Sequence, residues 1–263
     1  MTTIGEIIHG LLADSETGET TVDELNPGGI DTEASGIVTA FTASHFVIEQ
    51  ALAFGANLVI SHEGIYYSHR GDQEWLKKDP VYLDKERLIG ESGIAIYRFH
   101  DGIHRYKPDG IMQGLLRELK WESYVTEQQP TAAVLELPEM ELAAIAAYLK
   151  RQLKLSYVRV AGDFSLLCRK VGVLAGYRGS GELVIPLLQD KDLDLIIAGE
   201  GPEWEAPEYI KDAVHQGRGK ALIMLGHAES EAPGMKVLAE QLAARYPDIP
   251  VHYVQDRPIY QIV

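Results

Sequence analysis

A set of imidazoles and carboxylates stands just past short apolar runs in this sequence: His62, Glu63, His100, Asp101, His104, His227 and Glu231. Imidazole and carboxylate together suit Zn, Mn, Fe or Co better than Ca or Mg, which prefer oxygen-only shells. His100 and His104 are four residues apart, as are His227 and Glu231. That spacing puts both groups on one face where the turn is helical. Gly102, Pro233 and Gly234 predict loops instead. Glu231 also has an alternative reading, as a carboxylate near the positive end of a helix. His9, His45, His69, His215 and His252 have no evident partner and default to surface or core positions. Among them His69 stands apart, because it follows the first donor pair.

The elements that must position these groups follow an α/β grammar. Leu58-Val59-Ile60 is too short for a helix and reads as a buried strand. It delivers Ser61-His62-Glu63-Gly64 at its carboxyl end, where open α/β sheets keep their chemistry. Adjacent strand residues face opposite sides, so His62 and Glu63 can share a site only where the chain has begun to turn. Gly64 makes that turn cheap. Around this strand the pattern predicts helices over 3–13, from Thr42 or Ser44 to Gly55, over 79–92 and over 108–120. Strands are predicted over 37–41 and 94–99. Residues 15–35 are polar and Gly-bearing, hence a loop. Residues 65–78, with Ile65, Tyr66, Tyr67, His69, Arg70 and Trp75, form an aromatic and polar excursion of the kind that covers a site.

The second half predicts strands over 131–137, 156–161, 170–175, 193–197, 221–225, 251–254 and 259–262. Its helices are predicted from Pro138-Glu139 to 153, and over 181–190, 205–216 and 234–245. A Gly-rich turn, Gly176-Tyr177-Arg178-Gly179-Ser180-Gly181, joins strand to helix. Its N–H groups could cradle an anion. It lacks a P-loop Lys-Ser/Thr ending, so a tight connection is the simpler reading.

The halves align with each other. Asn57 to Gly64 matches Asp194 to Gly201, Ile96 to His100 matches Ile223 to His227, and Gly110-Ile111-Met112 matches Gly234-Met235-Lys236. Three matches in one order predict an internal duplication. The expected fold class is α/β: two related lobes, residues 1–125 and 126–263, with mixed sheets flanked by helices.

Composition bounds what such lobes do. The chain has 263 residues, 46% of them hydrophobic, and a net charge of −15. That charge disfavours direct nucleic-acid binding, which needs clustered Lys and Arg. Cys168 is the single cysteine, so no internal disulfide forms, and a cytoplasmic, reducing setting is expected. No apolar stretch approaches the roughly 20 residues of a membrane span.

Three blocks carry a family likeness: Ile60-Ser61-His62-Glu63-Gly64, residues 96–104, and Leu225 to Glu231 followed by Gly234 to Ala239. They resemble the NIF-three-like dinuclear-metal family, also known as GTP cyclohydrolase I type 2 homologues. Val158 to Asp163 extends the likeness. The resemblance implies two α/β lobes, a toroidal homo-hexamer, and two divalent metal ions per chain. Residue by residue it implies His62 as a ligand, Glu63 where the family has a second His, and His104 where the family has an Asp. His227 and Glu231 match, the latter as a bridge. The swap of His for Glu and Asp for His keeps three imidazoles and two carboxylates. Asp101 is the substitute ligand to check first, and His100 is expected behind the ligands. The family's early Trp-Asp-Asn segment is missing from 22–31. The implied function is a metal-dependent hydrolase-type activity on a small anionic or carbonyl-bearing substrate. The competing reading is a non-enzymatic assembly or regulatory protein acting through protein partners. Open metal positions would favour the former and a closed shell the latter.

Overall fold

A computed structural model describes residues 1–16, 18, 20–26, 28–69 and 73–263. Parts of the expected loop over 15–35 (residues 17, 19 and 27) and of the excursion over 65–78 (residues 70–72, including Arg70) lie outside the described residues.

In chain order the elements are α1 (Ile4–Ala13), β1 (Glu24–Asn26), β2 (Ile37–Ala40), α2 (His45–Ala53), β3 (Leu58–Ser61), α3 (Pro80–Ser92), β4 (Ala95–Arg98), α4 (Asp101–His104) and α5 (Gly110–Glu118). There follow β5 (Val125–Gln128), β6 (Ala133–Glu141), α6 (Leu142–Leu153), β7 (Arg159–Ala161), β8 (Leu167–Leu174), α7 (Gly181–Asp190), β9 (Leu195–Ala198), α8 (Ala206–His215), β10 (Ala221–Met224), α9 (His227–Arg245) and β11 (Val251–Tyr253).

The chain forms two compact units. Unit 1 is Met1–Gly110 with Gly234–Ile259, and unit 2 is Ile111–Pro233 with Tyr260–Val263. The unit 1 sheet has the order β1-β4-β3-β2-β11, with β1 antiparallel and the rest parallel. The unit 2 sheet has the order β5-β6-β8-β9-β10-β7, with β8, β9 and β10 parallel and the others antiparallel. The four strands β1-β4-β3-β2 thus recur as β7-β10-β9-β8, in the same order and sense. The fold is mixed α/β in two sheets flanked by helices, with the duplicated strand order that the matching blocks predict.

Strands β2, β3, β9 and β10 are buried at every position, as parallel strands covered on both faces must be. That is why they read as unbroken apolar runs. One core packs Val38, Val59 and Ile96 against Val47, Ile48, Ala51 and Ile89. Its counterpart packs Leu174, Ile196 and Leu222 against Val184, Leu188 and Ile210. Asp79 caps α3 through Val81 and Tyr82 N–H, with Pro80 at the first helical position, and Gly93 ends it at φ +65°.

Several expectations need correction. Residues 101–104 and 227–233 are helical rather than loop, so His227 and Glu231 lie one turn apart on α9. Ser230, Glu231 and Met235 on α9 are buried, and Pro233 within it removes one backbone donor. The predicted helix from Pro138 starts only at Leu142, because β6 continues to Glu141. Pro138 falls in the gap in β6–β8 pairing between Glu136 and Met140, where no ladder bond is lost. Residues 259–262 form no strand. Two short strands, β1 and β5, occur where none was predicted.

Candidate metal centre

In unit 1 the donors gather at the carboxyl ends of β3 and β4. The last paired residues are Ser61 and Arg98. His62 and Glu63 N–H groups still bond to Ala40 and Phe41 carbonyls, while the Ser61 hydroxyl donates to the Glu63 carbonyl and turns the chain. This turn is what frees the adjacent pair from opposite faces.

The Asp23 carboxylate organises the neighbouring strand end. Its Oδ1 accepts from His100 and Asp101 N–H, each at 2.7 Å, and its Oδ2 from Gly102 N–H at 2.8 Å. These amides have no helical acceptor, so a carboxylate is well placed there. A side chain at Gly102 would run into the Phe99 ring and Asp23.

Three imidazoles result. Ring centroids lie 4.5 Å apart for His62–His100, 5.0 Å for His62–His104 and 5.2 Å for His100–His104. One ligand atom from each lies within 4.8 Å of the others. Each ring is held through Nδ1: His62 at the Phe99 carbonyl (3.4 Å), His100 at Asp101 Oδ1 (2.9 Å) and His104 at Asp109 Oδ2 (2.9 Å). Burial, reinforced by His62, pushes His100 down to about 4, so it is a neutral donor at neutral pH. Burial opposes ionisation of Asp101, but bonds from His100 and from Val22 N–H hold its carboxyl below the usual value.

Glu63 is held differently. Buried Arg98 donates from Nη2 to Glu63 Oε2 (3.1 Å) and to His69 Nδ1 (3.0 Å), and from Nη1 to the His69 carbonyl (2.8 Å). Glu63, His69 and His100 form a second group whose ligand atoms lie within 4.8 Å.

In unit 2, Glu200 follows β9 as Glu63 follows β3. His227 opens α9 between two carboxylates: Nδ1 is 3.0 Å from Glu200 Oε2, and Nε2 is 3.1 Å from Glu231 Oε2. Glu231 is only 2% exposed, so its charge needs a positive partner. Ser230 donates to the His227 carbonyl and accepts from Gly176 N–H. Gly176 sits at φ +67° with the Glu231 carboxylate where a Cβ would go, so only glycine fits. The Gly-rich turn is therefore a tight connection that backs Glu231. Its helix end at Gly181 N–H is already taken by the Glu205 carboxylate at 2.7 Å.

The structure thus brings His62, Glu63, His100, Asp101 and His104 together in unit 1, and His227 and Glu231 together in unit 2. Asp23, Arg98, Asp109 and Glu200 escaped the sequence reading as partners of these donors. Only Glu200 left a local signal, standing opposite Glu63 when the halves are aligned. The donor set fits a divalent transition ion: imidazoles held through Nδ1 by carboxylate or carbonyl oxygens, with a buried glutamate beside one of them.

Two lobes on one strand order, each with histidine and carboxylate side chains just past its strands, define the class of this protein. Residues 24–258 match the Duf34/NIF3 (NGG1p interacting factor 3) family, and the chain belongs to it. It is 24% identical over 241 residues to a GTP cyclohydrolase 1 type 2 homolog of Pasteurella multocida, covering 88% of this chain and 90% of the relative. A homolog of the same name from Clostridium acetobutylicum is 24% identical over 230 residues, with 81% and 78% covered. Among solved structures, the ybgI protein of unknown function matches with a TM-score of 0.77 at 20% identity, covering 98% and 100%. A Bacillus cereus protein related to NIF3 matches at 0.76 and 15% identity, covering 100% and 99%. These structural likenesses establish the fold. No described helix is long and apolar enough to cross a membrane.

Proposed function

We propose that this protein is a dinuclear-metal, hydrolase-type enzyme, in which His62, Glu63, His104, His227 and Glu231 hold two divalent ions. The observation that carries the reading is that each lobe ends in a histidine–carboxylate pair at equivalent strand ends. Glu63 Oε1 lies 3.7 Å from His100 Nε2, and Glu200 Oε2 lies 3.0 Å from His227 Nδ1. Two bound ions would lower the pKa of coordinated water and polarise a substrate oxygen.

The chain's own residues do the positioning. Arg98 donates to Glu63 and aims it, and Asp109 holds His104 through Nδ1. Glu200 holds His227 through Nδ1, with Nε2 facing Glu231. Among the direct ligands, four positive charges stand against two glutamates, which favours a small anionic or carbonyl-bearing substrate at the ions. We propose further that the protein is a cytoplasmic homo-oligomer, a hexamer as the family resemblance implies.

The test is metal analysis of protein purified without chelator, a panel of hydrolase substrates, and mass determination by light scattering. About two ions per chain and an activity lost on chelation and restored by metal are expected. Well under one ion per chain, or activity indifferent to chelation, would sink the reading.

A further inference from the structure

We infer that unit 1 by itself carries a three-imidazole metal site, His62–His100–His104, built for tetrahedral Zn(II) or Co(II) and against Mn(II). The inference rests on the metal-binding reading above but makes His100 a direct ligand, where the sequence placed it behind the ligands.

The tautomers carry the argument. Each of the three rings directs Nδ1 at an oxygen that can only accept: the Phe99 carbonyl, the Asp101 carboxylate and the Asp109 carboxylate. In the neutral ring the proton therefore sits on Nδ1 and the lone pair on Nε2. His69 is held differently: its Nδ1 lies 3.0 Å from Arg98 Nη2 and 3.4 Å from Glu63 Oε2, a donor and an acceptor together, so its surroundings do not select one tautomer as those of the other three rings do.

The spacing agrees. Three imidazoles around a tetrahedral ion, with Zn–N of about 2.0–2.1 Å, place their ring centres roughly 5 Å apart. The observed sides are 4.5, 5.0 and 5.2 Å. Three neutral nitrogens in that geometry favour Zn and Co, whereas Mn prefers carboxylate and water oxygens. Carboxylates stand behind two of the three rings, Asp101 behind His100 and Asp109 behind His104, and fix their orientation.

The experiment uses full-length protein stripped by chelation and reloaded with one equivalent of Co(II). Strong visible d–d bands of tetrahedral cobalt are expected, bleached by Zn(II) and unaffected by excess Mn(II). His100→Ala should abolish the bands and weaken Co(II) binding by more than about 100-fold. Asp101→Asn should keep the band shape and lose only the roughly 10–100-fold typical of an outer partner. His100→Ala that binds Co(II) like the unaltered protein overturns the assignment. X-ray absorption of unaltered protein at one equivalent of Zn(II) needs no variant: scattering from three imidazoles supports the site, and two or fewer refutes it. Absence of any uptake would overturn the dinuclear reading as well, whereas uptake with fewer imidazoles overturns this inference alone.

Discussion

The two sheets carry the same four strands in the same order, yet they end in different chemistry. Unit 1 follows β3 with His62 and unit 2 follows β9 with Gly199. A Cβ at Gly199 would meet the Ser230 hydroxyl and, at 2.7 Å, Gly176 N. No imidazole fits there, and Ser230 occupies the space. The strand ends after β4 and β10 also differ: His100 follows the last paired residue by two, and His227 by three. Gly226, at φ +114°, takes up the extra residue. The helices after the site strands diverge too. α8 buries Ala206, Ile210 and Ala213, whereas α3 buries Tyr82, Lys85 and Ile89. A duplicated frame therefore preserves where side chains are presented, and single positions one step beyond each strand decide whether nitrogen or oxygen predominates.

The strongest test of that contrast is to transplant the donor. Gly199→His should destabilise unit 2 by more than about 3 kcal/mol through overpacking against backbone. A urea midpoint equal to that of the unaltered chain would show that the two positions are not sterically distinct. Next in size, Asp23→Ala removes the acceptor of three N–H groups and should cost about 2–3 kcal/mol. Hydrogen exchange at His100, Asp101 and Gly102 should rise with it. Unit 2 amides should keep their protection, and equal loss in both units would refute a local role.

The buried lysine of α3 gives a pH signature absent from α8. Lys85 donates to the Ile65 carbonyl and lies 5.7 and 5.6 Å from the Tyr66 and Tyr67 ring centres. Burial pushes it down to about 8 from 10.5, against a small upward pull from Asp256. Between those values the unfolded chain binds more protons than the folded one, so stability rises with pH across that window. A gain of about 2 kcal/mol from pH ~8 to ~10 is expected, and Lys85→Met should flatten it. An unchanged slope in the variant would assign the effect elsewhere. The smallest effect concerns the exchanged donors. Glu63→His and His104→Asp singly change the ligand charge by one unit and should each weaken metal binding about tenfold, while the pair together restores most of it. Additive losses would mean the two positions do not share an ion.

What the sequence made legible were the elements whose cause is local. Leu58-Val59-Ile60, Leu195-Ile196-Ile197 and Ala221 to Leu225 announced buried strands because nothing polar interrupts them. Asp79-Pro80 announced α3 because capping is a matter of neighbouring residues. The donors themselves were legible for the same reason. What failed depended on distant partners. β1 is three residues of an edge strand with no apolar period, defined only by pairing with β4. Asp23 lies in a polar loop far from the amides it holds. The start of α9 was hidden because Pro233 and Gly234 read as breakers, and only tertiary burial overrides them. The sequence reading put Asp101 ahead of His100 as a ligand, because the contact in which the Asp101 carboxylate faces His100 Nδ1 leaves no mark in the sequence.

The parallel pairing of β11 with β2 joins residues 251–253 to residues 37–39. On a ribosome adding roughly 5–20 residues per second, that partner emerges on the order of ten seconds or more after β2. Throughout that interval the nascent chain shows an uncovered apolar edge at Ile37–Ala40, the kind of edge that templates association with other chains. All of Ile111–Pro233 is made before it can be covered. The sheet at the amino end is thus the last to be completed, and its safe passage depends on what shields β2 while the rest is still being translated.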